Sequence, residues 1–148
     1  MIRKKDDVVG SLIHDVAHQL RLRIDEVLRP YELTRVSWMA IGIVDQNDRL
    51  TQSELAARLE LGTAATGKLV DRLEERGLVQ RHDDPDDRRA NLLSVTPEAR
   101  ELLERLKTVG EGLREEVLQD LGEAERQRLQ RSLQKIKARL ADSRSKAA

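Results

Sequence analysis

Within residues 8–28, apolar side chains recur at Val9, Leu12, Ile13, Val16, Leu20, Ile24, Val27 and Leu28. Steps of three and four place them on one face of an amphipathic helix. Pro30 ends that helix, because it lacks an amide and disfavours helical geometry at Arg29. A second helix is predicted from Thr34, as N-cap, through Val36, Met39, Ile43 and Val44 to the polar break Asp45-Gln46-Asn47-Asp48. Gly42 inside it marks a close helix approach. Thr51-Gln52-Ser53-Glu54 has the capping-box form, with the Thr hydroxyl serving the third helical amide and the Glu side chain reaching back. The helix it starts should bury Leu55, Ala56 and Leu59 and stop near Leu61-Gly62.

The next helical pattern runs from Thr63, taken as N-cap, to Arg76. Thr66, Leu69, Val70 and Leu73 share its buried side, and Ala64, Gly67, Lys68, Asp71 and Arg72 face the other way. Gly77 suits a helix C-terminus, residues 78–81 are β-compatible, Asp83-Asp84-Pro85-Asp86-Asp87 is a turn-rich tip, and Asn91 to Val95 returns as a second strand. Thr96 caps a further helix with Pro97 at its first position. Its stripe runs through Leu102, Leu103, Leu106, Val109, Leu113, Val117 and Leu121, with Gly110 and Gly112 as weak points or a bend, and Gly122 interrupts it. In the last helix, Leu129, Leu133, Ile136 and Leu140 alternate by four and three, as in a coiled-coil seam. Helices this long with so narrow a stripe need another surface, and a second copy of the same terminal segments in a closed two-fold dimer is expected.

The fold class is therefore mainly α with a small β-wing: a winged helix-turn-helix domain over residues 31–96, and a helical dimerisation region over residues 1–30 and 97–148. Two short helices joined by a tight turn and followed by a two-stranded wing form a reader head for duplex DNA. A helix start with Ala64, Ala65 and Gly67 can enter the ~12 Å major groove without steric conflict. Thr63, Thr66 and Lys68 would then offer hydroxyls and an ammonium to bases or phosphates.

Composition narrows this picture. With 148 residues, 39% hydrophobic, one Trp, one Tyr and no Phe, the core must be aliphatic. The absence of Cys excludes disulfides, thiolate metal sites and a thiol switch. No apolar run approaches the ~20 residues needed to span a bilayer, and the charged start, residues 1–7, is not followed by a signal-peptide core, so a cytoplasmic location is expected. Net charge is zero. Bulk electrostatics thus favour no nucleic-acid partner, and the case for DNA depends on where the arginines sit.

Leu73-Glu74-Glu75-Arg76-Gly77-Leu78-Val79, then Asp84-Pro85-Asp86-Asp87-Arg88-Arg89, then Leu93-Ser94-Val95-Thr96-Pro97-Glu98, in this spacing, resemble the MarR family of transcriptional regulators. The stretch from Leu28-Arg29-Pro30 to Trp38 is similar to its SlyA branch. The resemblance covers nearly the whole chain and implies a winged-helix homodimer on a pseudo-palindromic operator, a repressor relieved by a small aromatic or phenolic anion. The family's aspartate-any-arginine wing motif falls on Asp87-Arg88-Arg89. Arg89 would then enter the minor groove, Asp87 would hold its guanidinium, and Arg88 would meet phosphate. The same resemblance places His18, Arg21 and Trp38 in the effector crevice, with Arg21 on a carboxylate, Trp38 on a ring and His18 lending pH dependence.

Read from residues alone, the hairpin could instead be a solvated charged loop, since Asp83, Asp84, Asp86 and Asp87 flank Arg88 and Arg89. A winged-helix protein-interaction module without its own operator is the alternative function. His14 and His18, four apart with Asp15 beside them, are too few to make a metal site, and no cofactor is expected. No nucleophile-base-acid spacing or phosphate-binding glycine loop points to an enzyme.

Overall fold

In the computed structural model, which describes residues 5–147 and the side chains of residues 8–147, the chain divides into two compact units, one ending at Lys107 and one starting at Thr108. Residues 1–4, part of the charged start, lie outside the described residues. The first unit holds α1 (Lys5–Leu28), a 3-10 turn (Arg29–Tyr31), α2 (Arg35–Asp45), β1 (Leu50–Thr51), α3 (Gln52–Leu59), α4 (Thr63–Glu75), β2 (Val79–Asp83) and β3 (Asn91–Val95). α5 (Pro97–Leu118) begins in it and ends in the second unit, which also contains α6 (Glu123–Ala147). The unit carrying the winged segment thus includes α1 and the start of α5.

Threonine caps form as the local pattern requires. Thr34 Oγ1 accepts the Ser37 N–H at 3.1 Å, and Thr96 Oγ1 accepts the Ala99 N–H at 3.2 Å. At α3 the capping box is complete: the Thr51 N–H donates to Glu54 Oε2 at 2.8 Å and Thr51 Oγ1 accepts the Glu54 N–H at 3.1 Å. The bond from the Thr51 N–H first, and then the Thr51 hydroxyl, which donates to Glu54 Oε2 at 3.0 Å, hold the Glu54 carboxyl below its ordinary value. Thr63 does not cap α4. It is already helical, Gly62 occupies the cap in extended geometry, and no side chain serves the first amides.

The core of the first unit is built where α2, α3, α4 and the sheet meet. Ile41, Leu55, Val70 and Val79, one from each, are fully buried. Leu69, Leu73, Leu93 and Val95 close around them, and Ala99, Leu102 and Leu106 cover them from α5. Burying each such aliphatic side chain contributes roughly 1.5–3 kcal/mol, so this cluster fixes how the short helices pack.

The sheet differs from the expected two-stranded wing. It has three strands in the order β1-β3-β2, all antiparallel, with Val79 opposite Val95, Arg81 opposite Leu93, and Leu50 opposite Leu93 on the other edge. β1 escapes sequence patterning because two residues cannot show alternation. Its existence depends on a partner strand more than forty residues away.

Three chain reversals share one device. Leu33 N–H reaches Leu28 O, Leu61 N–H reaches Ala56 O, and Leu78 N–H reaches Leu73 O, each around a residue with positive φ: Glu32 (54°), Glu60 (53°) and Gly77 (67°). This is the Schellman arrangement, in which a left-handed residue lets the chain satisfy the last helical carbonyls. At two of the reversals it also brings a buried leucine pair together, Leu28 with Leu33 and Leu73 with Leu78.

In the second unit, α5 continues as helix through Gly110 and Gly112 and stops at Leu118 rather than Leu121. Arg126 fastens the turn to α6. It donates to the Leu118 and Leu121 carbonyls at 2.8 and 3.0 Å and to both oxygens of Glu115 at 3.0 and 3.1 Å. Hydrogen bonds from Arg126, with its charge, hold the Glu115 carboxyl below its ordinary value. No residue of α6 is buried. Among the described residues, no helix is long and apolar enough to cross a membrane.

Gly77 stands where α4 turns into the wing strand, and an L side chain at its positive φ costs about 1–2 kcal/mol. Gly77→Ala should destabilise the fold by that amount, measured as a lower urea midpoint with an unchanged m-value.

Candidate nucleic-acid interface

α4 projects a face free of bulky side chains. Thr63, Ala64 and Ala65 at its start are exposed, as are Lys68 and Arg72 one and two turns on. Neither cation has a hydrogen-bond or ion-pair partner among the described residues, and the Thr63 hydroxyl is equally free. Thr66 is withdrawn from this surface: it is fully buried, and its hydroxyl donates to the Gly62 carbonyl at 3.0 Å, one turn back. Helical phase explains both halves of the reading, because the residue that packs on the core cannot also reach a base. Gly67 is half-buried and turned toward α3, where an added Cβ would lie 3.5 Å from Gln52 Nε2.

Arg81 of β2 ties this helix to the wing. Its guanidinium donates to the Gly67 carbonyl at 3.2 Å and to Gln52 Oε1 of α3 at 3.1 Å, and it pairs with Asp71 at 2.7 Å and Glu74 at 2.8 Å. Asp71, read from the sequence as part of the outward face, is therefore neutralised from the side. The partners lie 7 to 29 residues from Arg81 along the chain. Nothing in the local pattern of residues 78–81 announces this role.

At the wing tip, backbone and carboxylates organise one another. The Asp86 N–H donates to Asp84 Oδ1 and the Arg89 N–H to Asp87 Oδ1, both at 2.9 Å, and the Ala90 N–H closes on the Asp87 carbonyl at 3.1 Å. These are Asx turns, the local bond that Asp forms two residues on. Asp87 thus serves the backbone of Arg89 and not its guanidinium, which corrects the expected charge-assisted contact. The side chains of Arg88 and Arg89 are exposed, and neither has a partner among the described residues. Asp84 and Asp86 are met by Arg49, from the loop before β1, at 3.4 and 3.1 Å.

Trp38 lines a hollow that His18 and Arg21 do not line. Trp38 is 36% exposed and shares this open hollow of about 350 Å3 with Met39, Ile43, Leu103 and Lys107. His18 and Arg21 are exposed on α1. A second hollow, about 610 Å3, lies between Asp25, Arg29, Arg35 and Met39 and includes none of the three. Among the described residues, no group of three or more His, Asp or Glu side chains is placed to hold a metal ion.

Comparison with known proteins starts from the segment that carries this geometry. A sequence model of the MarR family matches residues 31–90, from the turn after α1 to the end of the wing tip. An uncharacterised HTH-type transcriptional regulator of Bacillus subtilis (strain 168), YhbI, is 33% identical over 82 residues. Over residues 31–90 the chain is therefore similar to the MarR family. The aligned stretch is 55% of this chain and 53% of YhbI, so the chain spans about half the length of that curated relative. Among solved structures, wild-type apo MarR from E. coli is 26% identical, with 92% of this chain and 98% of that chain covered and a TM-score of 0.76. The S. aureus MepR-DNA complex is 22% identical over 87% of this chain and 96% of that one, with a TM-score of 0.75, and shows the shared fold. The MarR family is one of transcription regulators, not enzymes.

Arg81 carries hydrogen bonds between charged groups, roughly 1.5–3 kcal/mol each, discounted because Asp71 and Glu74 are partly exposed. Arg81→Met should cost about 1–2 kcal/mol of unfolding free energy in a denaturant titration. Asp71→Asn in the Arg81→Met background should cost less than in the native background, because the two act as a pair.

Proposed function

We propose that the protein is a sequence-specific double-stranded DNA-binding transcription regulator that acts as a homodimeric repressor. The observation that carries this reading is the pairing pattern of its charges. Asp71, Glu74, Asp84 and Asp86 are occupied by Arg81 and Arg49, while the side chains of Lys68, Arg72, Arg88 and Arg89 are exposed without partners among the described residues. A nearly neutral segment thereby presents its free cations on α4 and the wing tip. The start of α4, with Thr63, Ala64 and Ala65, suits the major groove, and the exposed Arg89 suits a narrow minor groove with its negative potential. The likeness in fold to the S. aureus MepR-DNA complex supports the same reading.

Unpartnered apolar faces support the homodimer. Leu129, Leu133, Ile136 and Leu140 of α6 are 39–61% exposed, and Val9, Leu12 and Val16 of α1 are 53–56% exposed. A second copy would bury them in an isologous interface and would present two reading heads to a two-fold operator. Functions divide accordingly, with residues 31–96 reading DNA and the terminal helices pairing copies. Release by a small aromatic or phenolic anion belongs to the same proposal; within one chain Trp38 lines an open hollow, and His18 and Arg21 are not part of its lining.

DNA fragments selected from genomic DNA at low salt should bind with an affinity that falls steeply as salt rises. Arg89→Ala should weaken binding at least tenfold while Lys137→Ala, on α6, leaves Kd unchanged. Equal effects, or binding that ignores salt, would instead favour a protein-interaction module. Leu133→Glu should convert dimer to monomer in sedimentation equilibrium, and an unaltered mass would remove α6 from the interface.

A further inference from the structure

The wing carries Asp83, Asp84, Asp86 and Asp87 beside Arg88 and Arg89, and a phosphate backbone repels the first set as strongly as it attracts the second. Arg49 addresses this imbalance from outside the wing. Its guanidinium lies 3.4 Å from Asp84 Oδ1 and 3.1 Å from Asp86 Oδ2, and those carboxylates come 35 and 37 residues later in the chain. Asp84 is the pivot, with its side chain 13% exposed. It accepts the Asp86 N–H at 2.9 Å through its carboxylate and the Asp87 N–H at 3.3 Å through its carbonyl. Arg49 itself is held at φ 60°, a left-handed conformation rare for a side-chain-bearing residue, immediately before Leu50 enters the sheet. Its backbone is thus anchored by β1 while its side chain reaches the tip.

We propose that Arg49 is a positioning residue for DNA recognition: it latches the acidic half of the wing turn, so that Asp84 and Asp86 cannot pair with Arg88 and Arg89 and both arginines stay free for the duplex. The proposal rests on the DNA-binding reading above. For Asp86 the nearest cations in sequence are Arg88 and Arg89, and Arg81, which is nearer to Asp84, is already engaged by Asp71 and Glu74. Pairing within the tip would consume the two charges that contact requires.

The test is a charge-rescue cycle on the full-length protein and a selected operator. Arg49→Ala keeps a Cβ at the positive φ, so the backbone cost is shared and the guanidinium alone is lost. It should weaken operator binding about tenfold in the native background. In an Asp84→Asn/Asp86→Asn background, where the amide oxygen of residue 84 still supports its turn, Arg49→Ala should change affinity less than twofold. The same tenfold loss in both backgrounds would mean that Arg49 meets phosphate directly and would overturn the proposal. No loss in the native background would overturn it as well. A readout without DNA separates this idea from the function it rests on. In the free protein, Arg49→Ala should lower the amide order parameters of residues 84–89 from the rigid range near 0.85 toward values below about 0.6. Unchanged order parameters would refute the latch even if the protein binds DNA. A loss of order in a protein that binds no operator would leave the latch standing and refute the DNA-binding reading.

Discussion

The Arg81 guanidinium is the joint on which the geometry of the reading head depends. One planar guanidinium donates to a helix carbonyl, two helix carboxylates and the amide oxygen of a neighbouring helix side chain at once, at 2.7–3.2 Å. Hydrophobic packing beneath it is non-directional: Leu69, Val70, Leu73 and Val79 would remain buried if β2 slid or rotated slightly against α4. The fork of Arg81 is directional. It converts an adequate contact between strand and helix into a defined one, and the relation between Lys68 on α4 and Arg89 on the wing follows from it.

Schellman reversals supply the second constraint. Each joins the final helical carbonyls to the amides just beyond, and two set one buried leucine against another five residues on, Leu28 with Leu33 and Leu73 with Leu78. The first is reinforced from a distance, because Arg76 at the end of α4 donates to the Tyr31 and Glu32 carbonyls at 2.9 and 2.6 Å. The end of the reading helix is thereby tied to the turn that follows α1. Two of the three left-handed positions are held by glutamates and not glycine, so part of the packing energy is spent on backbone conformation there.

Charge is distributed in the same spirit. Among the described residues of the first unit, Arg35, Arg49, Arg58, Arg76, Arg81 and Arg100 serve the protein's own oxygens, while the side chains of Arg72, Arg88 and Arg89, like those of Arg21, Arg29 and Arg105 elsewhere, have no partner. A net charge of zero conceals this division. What a nucleic-acid surface needs is unpaired cations in one place, and an acidic wing satisfies that need once its carboxylates are turned to backbone amides and to an arginine from elsewhere.

Sequence by itself determined the helices, their caps and the buried faces, because those depend on interactions three or four residues apart: Thr34 with Ser37, Thr51 with Glu54, Thr96 with Ala99, and the Thr66-Leu69-Val70-Leu73 stripe. It also marked Gly77 and the Asp87-Arg88-Arg89 tip, whose chemistry is local. Tertiary structure decided what a one-dimensional pattern cannot hold. β1 exists only through Leu50 opposite Leu93, Thr66 is removed from the reading surface by its depth, and His18 and Arg21 do not line the hollow beside Trp38. The partners of Arg49, Arg76 and Arg81 lie as far as 45 residues away. An arginine reads the same in sequence whether it will face solvent or fasten two elements, because only the completed fold sets which oxygens come within its reach.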